Sequence, residues 1–416
     1  MIRRVAALLS GSVSGQVLTL LASFLLTRLY SPEAFAHLEM FALVTGIGAV
    51  LGTGKYDQAL MLPQEESEAR SLFFAGQRFV AVFALFVGIA AIATSSWVSE
   101  KWSLPAWPWI AWGLPFAVAL AAHARLLEYW RHRQSEVVSV AWANLSGPLA
   151  SESTKIATAS ALPFSGLTWG AALGIFMRWA VMARGVEHPW RGKPDAEVVR
   201  AYRDYPTWVW AGSAMNRLAQ WLHVLLLGVA LGPVMLGLLA LARRVVMQPL
   251  SLLAAAVAPV LFKSATDLAD GPELNRLFFR SLAVLSSLGG VTWLAVALAP
   301  DYSMAWLFGE EWTEAMEVLR ILAPWFVLNF ITAGLGAMLH RTNRPRWIAA
   351  LDAIHLLAVL VGFAVGTYFP HLLNSGEWSV LQAIVYAKSG YYLLNLAVLV
   401  MAVTSHADAH RQRRSE

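Results

Sequence analysis

Cysteine is absent from all 416 residues, which excludes disulfides, thiolate metal sites and cysteine nucleophiles. Charge is scarce as well. Only 14% of the residues are Asp, Glu, Lys or Arg against 58% hydrophobic, far too apolar a balance for a soluble domain. Also missing are an HExxH pair, a nucleotide-binding glycine loop and paired carboxylates at metal-ligand spacing, so the familiar hydrolytic sites have no counterpart. No basic stripe interleaved with aromatics marks a nucleic-acid partner. What is present is the composition of an integral membrane protein.

About twelve stretches reach the roughly 20 apolar residues that a helix needs to cross hydrocarbon, near 5–28, 34–62, 72–95, 106–127, 136–158, 161–184, 205–231, 234–262, 275–299, 313–340, 346–368 and 378–404. A polar linker at 185–204 separates residues 1–184 from 205–404, six spans in each, and a basic tail follows at 405–416. An even number of spans per set returns the second set to the same orientation. The expected fold is therefore an all-α integral membrane protein, its two six-helix lobes related by a pseudo-two-fold along the membrane normal and enclosing a central cavity. Loops and tails on the N-terminal side hold Arg3, Arg4, Arg70, Arg131, Arg133, Arg200, Arg203, Arg276 and Arg411, whereas the opposite loops hold little beyond Lys101. That asymmetry places both termini in the cytoplasm, and the net charge of +5 mostly records it. Tryptophans such as Trp97, Trp102, Trp107, Trp109, Trp312 and Trp378 fall near span ends on the outer side, as an interfacial belt requires.

Cations interrupt the spans. Arg217, the adjacent Arg243 and Arg244, and Lys388 fall near mid-span, where a charge costs about 2.5 to 3.5 kcal/mol unless its surroundings are wet or paired. Arg28 ends the first span at the outer face and Lys55 lies toward the inner end of the second, so the six cations form a ladder across the membrane. Polar residues recur at helical spacing in the first span (Ser12, Gln16, Thr19, Ser23, Thr27) and in the seventh (Ser213, Asn216, Arg217, Gln220). Such a stripe is read either as close helix packing or as a cavity wall. Asp57, Glu152 and Asp352 are the intramembrane acids that H+ or Na+ coupling would use, although Lys155, three residues after Glu152, equally suits an ion pair. No other cofactor is expected.

The run Leu26-Thr27-Arg28-Leu29-Tyr30-Ser31-Pro32-Glu33-Ala34-Phe35, with Lys55-Tyr56-Asp57 and Leu62-Pro63, resembles the first two helices of O-antigen and related polysaccharide flippases of the multidrug/oligosaccharidyl-lipid/polysaccharide (MOP) exporter superfamily. Tyr202-Arg203-Asp204-Tyr205-Pro206, Asn216, Gly232-Pro233, Gly237, Ala242-Arg243-Arg244 and Pro249 are similar to the seventh and eighth helices of that family. Phe308-Gly309-Glu310-Glu311-Trp312, Ala315 and Ile321-Leu322-Ala323-Pro324-Trp325 resemble the segment entering the tenth. The chain departs from the pattern at Ala36, often Gly, and at Lys55-Tyr56-Asp57, where an Arg-Tyr-Glu triplet is usual. It departs again at Ala333-Gly334, which replaces a Ser-Pro.

The resemblance implies a flippase of the bacterial cytoplasmic (inner) membrane. It would carry an undecaprenyl-diphosphate-linked oligosaccharide to the periplasmic leaflet by alternating access, and a glycan polymerase or ligase would then use the product. On this reading Arg244, Arg217 and Arg243 hold the diphosphate, Arg28, Lys55 and Lys388 extend the cationic cavity, and Asn216, Gln220 and Gln16 meet sugar hydroxyls. Membrane lipid solvates the polyprenyl tail; nucleic acid has no role. Two alternatives stand beside it. A membrane polymerase or ligase would display a large outer loop, yet the longest here spans only about 299–313. A drug exporter of the same superfamily would carry an acid-dominated cavity in place of a cationic one.

Overall fold

The structure, a computed structural model, describes residues 2–186, 192–268, 272–336, 345–373 and 376–415. Among them there is helix and turn but no strand. The long helices are α1 (Ile2–Leu29), α2 (Pro32–Leu51), α4 (Glu66–Lys101), α5 (Trp107–Arg133), α6 (Val137–Thr158), α7 (Gly166–Ala183), α9 (Trp210–Ala242), α10 (Gln248–Asp267), α11 (Pro272–Leu298), α13 (Ala315–Leu335), α14 (Pro345–Tyr368) and α15 (Ser379–Ser415). Short helices α3 (Tyr56–Ala59), α8 (Ala196–Ala201) and α12 (Ser303–Phe308) lie between them.

Nine helical stretches among the described residues are long and apolar enough to cross a membrane. One of them, Tyr205–Ala258, runs for 54 residues. At 1.5 Å per residue that is about 80 Å, more than twice the hydrocarbon thickness. It is broken at Gly232 (φ 79°), a backbone conformation that glycine reaches freely, with Pro233 following. The two crossings expected there thus share one interrupted rod. α6 carries Glu152 and Lys155 and α1 has a shorter apolar stretch, Val13–Leu29, which brings the helical segments to the twelve read from the sequence.

Of the boundaries that differ from expectation, two change the architecture. α2 ends at Leu51, not near residue 62, because Gly54 (φ 58°) and Lys55 (φ 63°) are both left-handed and turn the chain into α3. α15 continues through Ser415, across the predicted tail.

The chain divides into two compact units. The first comprises Met1–Trp221 and Leu231–Gly237, the second Leu222–Ala230 and Leu238–Glu416. The unit boundaries all fall within α9; of the expected linker 185–204, residues 187–191 lie outside the described residues. One reason is visible at the start of α9, where the Trp210 indole donates to the Leu51 carbonyl at 2.8 Å and holds this helix to α2.

Within each unit the helices meet through residues that lack bulk, as expected where lipid provides no hydrophobic drive for association. In the first, α1 packs on α6, α6 on α7, and α5 on α2, α4 and α7. A Cβ on Gly15 would stand 2.6 Å from the Asn144 carbonyl oxygen, and one on Gly174 2.8 Å from that of Gly147. In the second unit α14 packs on α15, where a Cβ on Gly366 would stand 2.5 Å from the Val380 Cα. Outward-facing side chains such as Val82, Phe86, Trp109 and Phe116 in the first unit, and Val291 and Leu298 in the second, suit a hydrocarbon solvent.

Gly15→Ala should lower stability by about 1–3 kcal/mol, since backbone rather than a side chain must yield. Thermal unfolding in detergent measures this, and an unchanged midpoint would contradict the α1–α6 contact.

Candidate functional site

The polar centre of the first unit is built on the turn after α2. The left-handed pair Gly54-Lys55 brings the chain back so that Asp57, in the first turn of α3, faces Thr53. A non-glycine residue in that region costs about 1–2 kcal/mol, which marks Lys55 as held there by its surroundings. The Thr53 hydroxyl donates to Asp57 Oδ1 at 2.8 Å and accepts from the Lys55 amide at 3.2 Å. The other oxygen, Oδ2, accepts from Arg125 Nε of α5 at 2.7 Å. Asp57 is wholly buried, Lys55 is 3% exposed and the Arg125 side chain 25%.

Arg217 completes the group. It lies near enough for its charge to act on Lys55 and on Arg125. Its guanidinium donates to Gln220 Oε1 at 3.2 Å, and Gln220 Nε2 donates to Asn216 Oδ1 at 2.8 Å, so three of the four residues in the polar stripe predicted on the seventh span form a connected chain. Three cations thus gather around one carboxylate: Asp57 is bonded to Arg125 and acts on Lys55, and Arg217 acts on both of these cations. Lys55 lies between the spans. Burial pushes its ammonium down from its ordinary value, Asp57 pushes it back up, and the two arginines push it down again. An excess of positive charge in partly desolvated surroundings attracts an anion, and guanidinium suits phosphate in particular.

The first-span stripe behaves differently along its length. Thr19, Ser23 and Thr27 each donate to the carbonyl four residues earlier, and Ser23 and Thr27 are buried, so that end serves packing. Thr19 also lines a cavity of about 370 Å³ in the first unit, with Phe41, Thr45, Ser151, Glu152 and Arg178 among its walls. Gln16 is exposed, as is Arg28 at the end of α1. Glu152 pairs with Lys155 at 2.7 Å, the ion pair that their spacing allows, and its second oxygen is buried without a hydrogen bond.

In the second unit, Arg243 and Arg244 open a π-helical turn, Arg243–Met247, and both are half-buried. Widened turns of this kind recur at functional positions. Asp352 on α14 is half-buried, and its charge acts on Tyr391. Lys388 was expected to extend the cationic cavity. It is 1% exposed, inside its own unit, against His223 and Trp325.

Arg125 was not among the residues expected at the site. Its signal is the one that marked Arg217, a cation inside a predicted span (106–127), but the acid it serves lies 68 positions away. The Arg178–Glu128 pair at 2.8 Å, between α7 and α5, was equally unforeseen.

A family described as polysaccharide biosynthesis protein matches residues 25–317. Among solved structures, the chain is similar to a multidrug resistance MATE family transporter of the MOP superfamily in its inward-facing conformation. The TM-score is 0.75 at 15% identity, covering 97% of this chain and 98% of that one. An outward-facing conformation of such a transporter gives 0.64 at 13% identity, covering 97% and 96%. A MOP superfamily transporter from Pyrococcus furiosus, for which reverse polarity of the binding pocket suggests a different function, gives 0.64 at 14% identity, covering 96% of each chain. At these identities the likeness is one of fold. No curated protein matches the chain.

Asp57→Asn removes the only carboxylate bonded to Arg125 among the described residues and should cost about 3 kcal/mol of stability. Adding Arg125→Met should restore part of the loss. Unfolding midpoints of the single and double variants in detergent test the pair, and additive losses would refute its coupling.

Proposed function

Because the chain belongs to the polysaccharide biosynthesis protein family and carries the fold of MOP superfamily transporters, we propose that it is a flippase for an undecaprenyl-diphosphate-linked oligosaccharide. It carries its substrate from the cytoplasmic to the periplasmic leaflet of the bacterial inner membrane by alternating access. The observation that supports this most is the excess of cations around Asp57. A diphosphate cannot enter hydrocarbon unaccompanied, since even one unpaired polar group there costs several kcal/mol. Lys55, Arg125 and Arg217 offer fixed positive charge, while the tail stays in lipid. Asn216, Gln220 and Gln16 are assigned to sugar hydroxyls, and Arg28, Arg243 and Arg244 to further anion contacts.

The membrane potential, negative inside, favours outward movement of anionic charge by about 2.3 kcal/mol per charge per 100 mV. Coupling to H+ or Na+ adds a second source of drive. The acids proposed for it are Asp57, Glu152 and Asp352, of which Asp57 pairs with Arg125 and Glu152 with Lys155. A glycan polymerase or ligase takes up the product at the outer face. Drug export is the less fitting reading, because an organic cation would be repelled by the charge around Asp57.

The test is reconstitution. A lipid-linked oligosaccharide is placed in the inner leaflet of vesicles and its exposure followed with an impermeant lectin. Arg217→Ala should slow initial exposure about tenfold, as loss of a charged hydrogen bond worth roughly 1.5 kcal/mol predicts. Gln220→Ala should have the smaller effect. Wild-type rates in Arg217→Ala would remove the diphosphate from this site.

A further inference from the structure

The interior of the second unit contains a lysine that the transport reading does not use. Lys388 on α15 is 1% exposed, His223 on α9 3% and Trp325 on α13 2%. Lys388 Nζ lies 3.2 Å from His223 Nδ1 and 3.8 Å from the centre of the Trp325 ring. The His223 ring meets the same indole edge-on, with centroids 4.9 Å apart. Three helices thus converge on one amine, and none of them brings a carboxylate within ion-pair distance of it among the described residues.

Among the described residues, no acid acts on the Lys388 charge. On α14, His355 stacks on Tyr391 at 4.4 Å, and its charge state and that of Lys388 act on each other. Tyr391 and Tyr392 follow Lys388 on its own helix, with Tyr392 5.7 Å from the His355 ring. Asp352 on α14 acts on Tyr391, and Arg243 acts on Lys388 with the same sign of charge. α11, which also packs against α15, brings no titratable group to Nζ among the described residues.

The contrast with the first unit decides the chemistry. There the buried Lys155 is met by Glu152, as a permanent cation requires. Here the amine is met by a second base and by an aromatic face. Cation–π attraction to the ring offsets less than an uncompensated buried charge costs. Lysine, unlike arginine, can shed its charge when buried.

We propose that Lys388 and His223 form a proton-exchange site: one proton held between amine and imidazole, taken up and released as the protein cycles. In transfer an Nζ–H bond breaks, a bond from Nδ1 to that proton forms, and the positive charge moves from amine to imidazole. Loss of the proton leaves both buried groups neutral. Only the coupling of this site to transport rests on the flippase reading.

Two measurements on the full chain separate the ideas. In lipid nanodiscs without substrate, titration between pH 5 and 9 should show the wild type taking up one proton more than Lys388→Met/His223→Gln. Lys388→Arg, whose charge is fixed, should also fall one proton short. Equal uptake by wild type and Lys388→Arg would overturn the proposal, as would equal uptake by wild type and the double variant. In vesicles, a one-unit pH gradient should change wild-type oligosaccharide exposure by up to about tenfold, the limit for one proton per cycle. The double variant should transport without responding to the gradient, and a response that survives in it would overturn the coupling. If the wild type moves no oligosaccharide, the flippase reading fails while the proton count still decides the site.

Discussion

A charge within an apolar bundle has to be answered by the protein itself, because lipid supplies neither counterion nor hydrogen bond. Most of what is distinctive in this chain follows from how that demand is met. Asp57 is answered twice, by Thr53 and by Arg125, and the cations around it outnumber it. Glu152 is answered by Lys155 on the same helix, and Glu128 by Arg178 on a neighbour. Lys388 is answered by a base and a ring instead of an acid. The same physical requirement thus yields structural pairs in three places, an anion-attracting excess in one of them and a titratable pair in a fourth.

The backbone serves those pairings. Lys55 and Asp57 belong to one sharp turn whose left-handed residues end α2 early. Had α2 continued to residue 62, Asp57 would sit on a helix at the spacing that α-helical geometry imposes, and a return to Thr53 would depend on a single i+4 contact. The turn adds the Lys55 amide to the same hydroxyl and so fixes the acid against α5. Glycines at helix contacts play a parallel part. They bring backbones close enough that α6 and α7, or α14 and α15, touch without large side chains between them.

How far the site could be read in advance depended on distance along the chain. The stripe Asn216, Arg217, Gln220 was legible because its members are three and four residues apart, and helical geometry alone aligns them. The same spacing overstated the first span, whose hydroxyls at Ser23 and Thr27 turn back to their own carbonyls under close packing. Arg125 escaped notice as the partner of Asp57, since nothing local reveals which of many cations will approach a given acid across 68 positions.

Composition, apolar run length and the placement of basic residues determined by themselves that this is a many-helix membrane protein with charge buried inside it. These are one-dimensional properties, and partition between water and hydrocarbon reads them directly. Only the tertiary structure decided which cations gather on one carboxylate and which lysine lies sealed against a histidine and an indole. That choice depends on helix rotation and depth, set by packing between residues far apart in sequence, which a periodic pattern within one helix does not encode.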